Sequence, residues 1–165
     1  METFSRDAIR KSFNEALLNI NGDASPGVPY AQLARDNKTL FENYENLVFE
    51  MVYDRMMRIR RSTISDDPRV NIDNLLVDPV RVFVKDEPHT ATKVKQGRWR
   101  LICSVSIIDK IIETMIHKAA NTWMIRNWDK IPQKPGMGFT YEDSVKLKDY
   151  VFGFKTAVST DVSGR

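Results

Sequence analysis

Asp78-Pro79-Val80-Arg81-Val82-Phe83-Val84-Lys85-Asp86-Glu87-Pro88 and, a little further on, Gly97-Arg98-Trp99-Arg100-Leu101-Ile102 decide how this chain reads. From Pro79 to Val84 the residues alternate and are rich in β-branched types, which predicts a strand. Trp99 to Ser104 predicts a second strand. Pro88 and Gly97 supply turn signals between them, so the whole stretch reads as a long β-loop-β excursion. It is also basic: Lys85, Lys93, Lys95, Arg98 and Arg100 are opposed only by Asp86 and Glu87. On a strand, Arg98 and Arg100 share parity and point to one face. Guanidinium forks bind phosphate oxygens in pairs, ammonium groups add compact charge, and the two acids can hold neighbouring cations in place. Two readings of the segment stand at this point, a phosphate site and a solvated basic surface.

Helices flank this excursion. Phe4, Ala8, Phe13, Ala16, Leu17 and Ile20 share a loose helical face that Asn21 and Gly22 end. Ser25-Pro26-Gly27-Val28-Pro29-Tyr30 is a stiff loop in which Gly27 lets backbone pass close to another chain. Alone, it reads as an ordinary connection between helices. Leu40, Tyr44, Leu47, Val48, Met51 and Val52 predict a long helix over 39–61. Asp66, Asp67 and Pro68 are turn formers within a polar connection over 62–73. Downstream, Ser104 or Ser106 can cap a helix carrying Ile107, Ile108, Ile111, Ile112, Met115 and Ile116, apolar over a wide arc and expected to be well buried. A Pro/Gly loop over 132–140, a short helix over 141–150 and a strand over 156–160 leading into Asp161 complete the pattern. The fold class is α/β, of the α+β kind.

At 165 residues, 28% charged and 42% hydrophobic, the chain has the composition of one folded domain with a core. No apolar run approaches a transmembrane segment, and the charged start, with Glu2, Arg6, Asp7 and Arg10, lacks the core of a signal peptide. A net charge of +3 is too small to establish a nucleic-acid partner by itself. Cys103 is the single cysteine, which excludes an internal disulfide and a cysteine-based zinc site; it reads as buried packing. Trp99, Trp123, Trp128 and His117 read as core or boundary residues, and His89 as a turn histidine that can also touch phosphate. Asp161, a carboxylate at a strand end with small residues after it, is of the type that holds Mg²⁺, although one such Asp is weak evidence.

Taken in order, these segments resemble motifs G, F and A of viral RNA-dependent RNA polymerases. The phrasing is similar to the sobemovirus- and polerovirus-like enzymes, relatives of the picornavirus polymerases. The strings that carry the resemblance are Ser25 to Tyr30; Asp78 to His89; Gly97 to Ile102 with Ser104-Val105-Ser106; Ile131-Pro132 with Lys134-Pro135-Gly136-Met137-Gly138; and Asp161-Val162-Ser163-Gly164.

The resemblance implies a right-hand polymerase: residues 1–155 as the fingers region with motifs G and F, and 156–165 as the first strand of the palm, with motif A incomplete. Ser25, Gly27 and Pro29 match motif G, which lines the path of the incoming template RNA. Lys85 and Glu87 match the first part of motif F, and Arg100 its later arginine, which lies against the incoming triphosphate. Lys93, Lys95 and Arg98 fall where motif F varies in length. Asp161 matches the first metal-binding aspartate of motif A and is the catalytic candidate. The second aspartate of motif A and motifs B and C are not present, so the two-metal site for Mg²⁺ or Mn²⁺ is incomplete in these residues. The implied activity is templated nucleotidyl transfer by the full-length enzyme, with this piece alone inactive. The implied partners are RNA template and product, nucleoside triphosphates and the remainder of the polymerase polypeptide, in a replication complex of the host cytoplasm. A non-catalytic fragment that binds RNA through the basic loop is the alternative, and an unrelated α/β protein with a fortuitous basic hairpin is the third.

Overall fold

The computed structural model describes residues 4–88, 90–138, 140–156 and 158. It is mostly helical with one small antiparallel sheet, a mixed α and β structure. The chain divides into two compact units, 1–116 and 117–165.

The first unit is built on α1 (Arg6–Leu17) and α2 (Asn37–Arg61). The Ser5 hydroxyl accepts the Ala8 amide at 3.2 Å and caps α1. Asp36 caps α2 in the same way through the Thr39 amide, and Arg58, Arg60 and Arg61 in the last turn complement the helix dipole. α1 buries Ile9, Phe13 and Ala16; Phe4, expected on that face, is exposed. Phe13 meets Phe49 of α2 edge-to-face, with ring centres 5.4 Å apart. Leu40, Val48 and Val52 of α2 are fully covered. The polar connection that follows contains a short helix, α3 (Pro68–Asp73). Asp67 is its cap and Pro68 its first residue, so these two residues start a helix rather than only turning the chain.

β1 (Arg81–Val84) pairs antiparallel with β2 (Leu101–Ser104), Arg81 opposite Ser104 and Val84 opposite Leu101. Both strands are shorter than the sequence predicts, and β1 is exposed along its whole length. Cys103 and Trp99 are exposed, not buried: the alternation is present, but on β2 it leaves Ile102 and Ser104 only half-buried and Leu101 and Cys103 exposed. The excursion holds a further short helix, α4 (Ala91–Lys95), begun by Thr90. Gly97, at φ 63°, ends it, with the Arg98 amide reaching back to the Lys93 carbonyl at 2.9 Å. Arg98 thus closes a helix end and Arg100 precedes β2, so the strand parity expected to align them does not apply.

α5 (Ile107–Arg126) starts in the first unit, with Ile107, Ile108, Ile111 and Ile112 buried in the α1–α2 core. Beyond Ile112 the helix is covered in part: Met115 packs against the core and Ile125 lies against Gly136, while Ile116, Trp123 and His117 are exposed, contrary to the buried helix expected. In the second unit, α6 (Tyr141–Phe152) is capped by Thr140. Trp128 is buried as expected. Lys134 donates to the carbonyls of Trp128 and Ile131 and lies 3.7 Å from the centre of the Tyr150 ring. The strand expected over 156–160 lies largely outside the described residues. Among those described, no helix is long and apolar enough to cross a membrane.

Candidate nucleotide and RNA interface

Three of the basic-segment residues come together at the open end of the sheet. The Lys85 amide donates to the Arg100 carbonyl at 2.8 Å, continuing the ladder one step past Val84 and Leu101. This puts both cations beside Glu87. Its carboxylate takes Lys85 Nζ at 2.6 Å and a single Arg100 nitrogen at 2.9 and 3.1 Å. The Lys85 hydrogen bond, then the Arg100 charge, hold the Glu87 carboxyl below its ordinary range. The result is a solvent-facing pair of cations fixed by one shared anion, with donors left over for a second anion such as a phosphate.

Lys93 and Lys95 stand on α4, and every residue from Thr90 to Leu101 is exposed. They are not brought into the Lys85–Glu87–Arg100 group by any contact of their own. Asp161 and His89 lie outside the described residues. Among the described residues there is no group of three His, Cys, Asp or Glu side chains placed to hold a metal ion.

The Ser25–Tyr30 loop lies at the other end of the sheet. The Pro26 carbonyl accepts the Ile107 amide at 2.8 Å, and Gly27, at φ 72°, is buried against Val105 and Ser106. A Cβ on Gly27 would stand 2.6 Å from the Val105 carbonyl oxygen, so the close approach this glycine permits is to the chain's own backbone. Ser25 and Pro29 are exposed, and the Ser25 hydroxyl accepts the Gly27 amide at 3.3 Å. Between loop and sheet is a cleft of about 130 Å³ lined by Ser25, Gly27, Val28, Ala31, Arg81, Phe83 and Ser104. Arg81, Phe83 and Ser104 belong with the site and were not singled out in the sequence; the alternation of Arg81 and Phe83 on β1 was their only signal.

Beside Ser106, which caps α5 through the Asp109 amide at 3.2 Å as one of the two serines expected to do so, sits a charge cluster that the sequence reading did not assemble. Arg55 of α2, nearly covered, donates to Asp78 at 2.9 Å and to Asp109 at 2.7 Å. The Ser106 hydroxyl donates to the second Asp78 oxygen at 2.7 Å, and the Asp78 amide donates to Asp109 at 2.9 Å. Burial opposes the Arg55 charge, but the Asp78 hydrogen bond and the two carboxylates outweigh it and raise its pKa. Burial, then the Asp78 charge, push the Tyr30 hydroxyl up to about 12. The available signal was an arginine seven residues after Val48 and three after Val52, on the buried stripe of α2.

Comparisons with known proteins bear on the family of the chain. The family model described as viral RNA-directed RNA-polymerase matches residues 6–148. The replicase polyprotein P2AB of Southern bean mosaic virus is 41% identical over 149 residues, 88% of this chain and 16% of the polyprotein. The RNA-directed RNA polymerase of Mushroom bacilliform virus is 32% identical over 152 residues, 88% of this chain and 36% of that protein. Protein P1-P2 of Pea enation mosaic virus-1 is 37% identical over 147 residues, 86% of this chain and 12% of that protein. The chain thus spans well under two thirds of the length of these relatives. No solved structure matches it. With a family match running through nearly all of its length, the chain belongs to the viral RNA-directed RNA polymerases.

Proposed function

We propose that these residues form the fingers region, 1–155, and the first palm strand, 156–165, of a polymerase. The whole protein would join nucleoside triphosphates to the 3′ end of RNA on an RNA template, in a replication complex of the host cytoplasm. The observation that carries the reading is the Lys85–Glu87–Arg100 group, two cations preset by one carboxylate and open to solvent. A triphosphate docking there finds guanidinium and ammonium donors already placed, so little ordering is left to do when charge moves onto the leaving pyrophosphate. Lys93, Lys95 and Arg98 add positive potential along its approach. Ser25, Gly27 and Pro29, at the far end of the sheet, are assigned to the template strand. Mg²⁺ or Mn²⁺ would supply Lewis-acid chemistry. Asp161 is this chain's assigned ligand, and the carboxylates that complete the site come from elsewhere in the polymerase.

Single-turnover incorporation on a preformed RNA duplex tests the proposal, using a polymerase that includes this segment. Asp161→Asn keeps shape but removes charge, and it is expected to abolish incorporation while RNA affinity holds. Arg100→Ala should cost about a hundredfold in rate, as loss of one transition-state contact does. Arg100→Lys should retain part of it, since charge survives but the fork does not. Incorporation at the parental rate by Asp161→Asn would overturn the assignment of motif A.

A further inference from the structure

Both ends of the basic hairpin are gripped by one buried arginine. The chain leaves the core at Asp78, three residues before β1, and re-enters it at Ser106, two residues after β2. Asp78 accepts from Arg55 and from Ser106; Asp109, one turn into α5, accepts from Arg55 and from the Asp78 amide. The same cluster reaches the Ser25–Tyr30 loop. The Tyr30 hydroxyl lies near enough to Asp78 to feel its charge, and the Pro26 carbonyl is tied to the Ile107 amide beside Ser106. Arg55 itself is 6% exposed.

We propose that Arg55 is a positioning residue. Its fork, closed on Asp78 and Asp109, fixes the spacing between the Ser25–Tyr30 loop and the hairpin carrying Lys85 and Arg100. The inference rests on the assignment of that loop to template and of those cations to triphosphate. A planar fork is needed, because two nitrogens must reach two carboxylates that lie on different elements. A lysine supplies the charge from a single point and cannot span both. The Pro26–Ile107 hydrogen bond carries the same hold to the loop, where Tyr30 sits buried beside Asp78. Loosening the cluster should therefore disturb loop and hairpin together while the α1–α2 core stays closed.

The test uses Arg55→Lys and Tyr30→Phe, the second chosen because the ring still fills its place in the core. Hydrogen exchange is followed in peptides covering 25–31, 81–104 and the helices α1 and α2. In the polymerase, the lifetime of the RNA complex and the nucleotide KM and kcat per active site are measured alongside. The expected result is faster exchange, about tenfold, in both the loop and the hairpin, with α1 and α2 unchanged. KM is expected to rise about fivefold and the RNA complex to shorten its lifetime, with kcat within about twofold. Arg55→Lys should be the more severe of the two. Faster exchange in only one of the two segments, or a fall in melting temperature with KM and lifetime both unchanged, would overturn the proposal. A parental protein that incorporates no nucleotide would sink the polymerase reading instead, and the exchange data would still decide whether Arg55 couples the two segments.

Discussion

Glu87 holds Arg100 with both carboxylate oxygens on one guanidinium nitrogen, which leaves the rest of the fork free for another anion. The pair is solvent-facing, so its worth lies in placement more than in stability. A phosphate that arrives at Arg100 meets a guanidinium already oriented.

RNA should bind this chain weakly and without sequence preference, with an affinity that falls as salt rises, because phosphate neutralisation releases counterions. Replacing Arg98 and Arg100 with Glu should weaken binding and lower the salt slope by about 2, one for each lost phosphate contact. Fluorescence anisotropy of a labelled RNA across a salt series measures both. A slope unchanged in the double variant would remove this segment from the phosphate interface.

Arg55→Met should destabilise the protein by about 3 to 5 kcal/mol, because Asp78 and Asp109 are left with an uncompensated charge in a nearly dry place. Urea unfolding gives the number. A loss below ~1 kcal/mol would mean that water reaches the cluster freely.

Gly27 and Gly97, two of the three described glycines in the left-handed region, should respond differently to alanine. At Gly97 nothing stands near the added Cβ, so the cost is the backbone strain alone, about 1 kcal/mol. At Gly27 the same strain is joined by the contact with the Val105 carbonyl, and the loss should be clearly larger. Equal losses in denaturant midpoint would show that the loop shifts away without penalty.

Alkaline pH should loosen the first unit through Tyr30. Its hydroxyl is raised from 10.0 to about 12 in the folded chain, so the folded state holds its proton more tightly than the unfolded state does. The stabilisation is complete below pH 10 and is lost as pH rises from 10 toward 12. It amounts to on the order of 1 to 2 kcal/mol, since solvent screens part of the shift. Tyr30→Phe should flatten that part of the stability curve, as followed by denaturant midpoints between pH 9 and 12.

The long helices were legible because their apolar residues repeat over several turns: Val48 and Val52 mark α2, and Ile108 and Ile111 mark α5. The short helices α3 and α4 have too few residues for a period. Their only signs are the caps Asp67 and Thr90, which read equally as turns. The hairpin was legible from alternation, but burial was not. Cys103, Trp99 and Trp123 lie on faces that a local pattern can define without saying whether anything covers them. Within the site, Lys85, Glu87 and Arg100 were found because they are close in sequence and of complementary charge. Arg55 was not, since its partners lie 23 and 54 residues away and only folding brings them near.

The exposed run from Thr90 to Trp99 can change in length. Its backbone closes on itself through α4 and Gly97, and no residue of it enters the core. Residues could be inserted or removed there at little more than the entropy of a longer loop, which grows by only about 0.6 kcal/mol for each doubling. The anchors are different. Moving Asp78 by one position would turn its carboxylate away from Arg55, and moving Ser106 would withdraw its hydroxyl from Asp78, so either change leaves a buried charge short of a partner. Tolerance to insertion should therefore end at Lys85 and Arg100, where the ladder begins, well before those anchors.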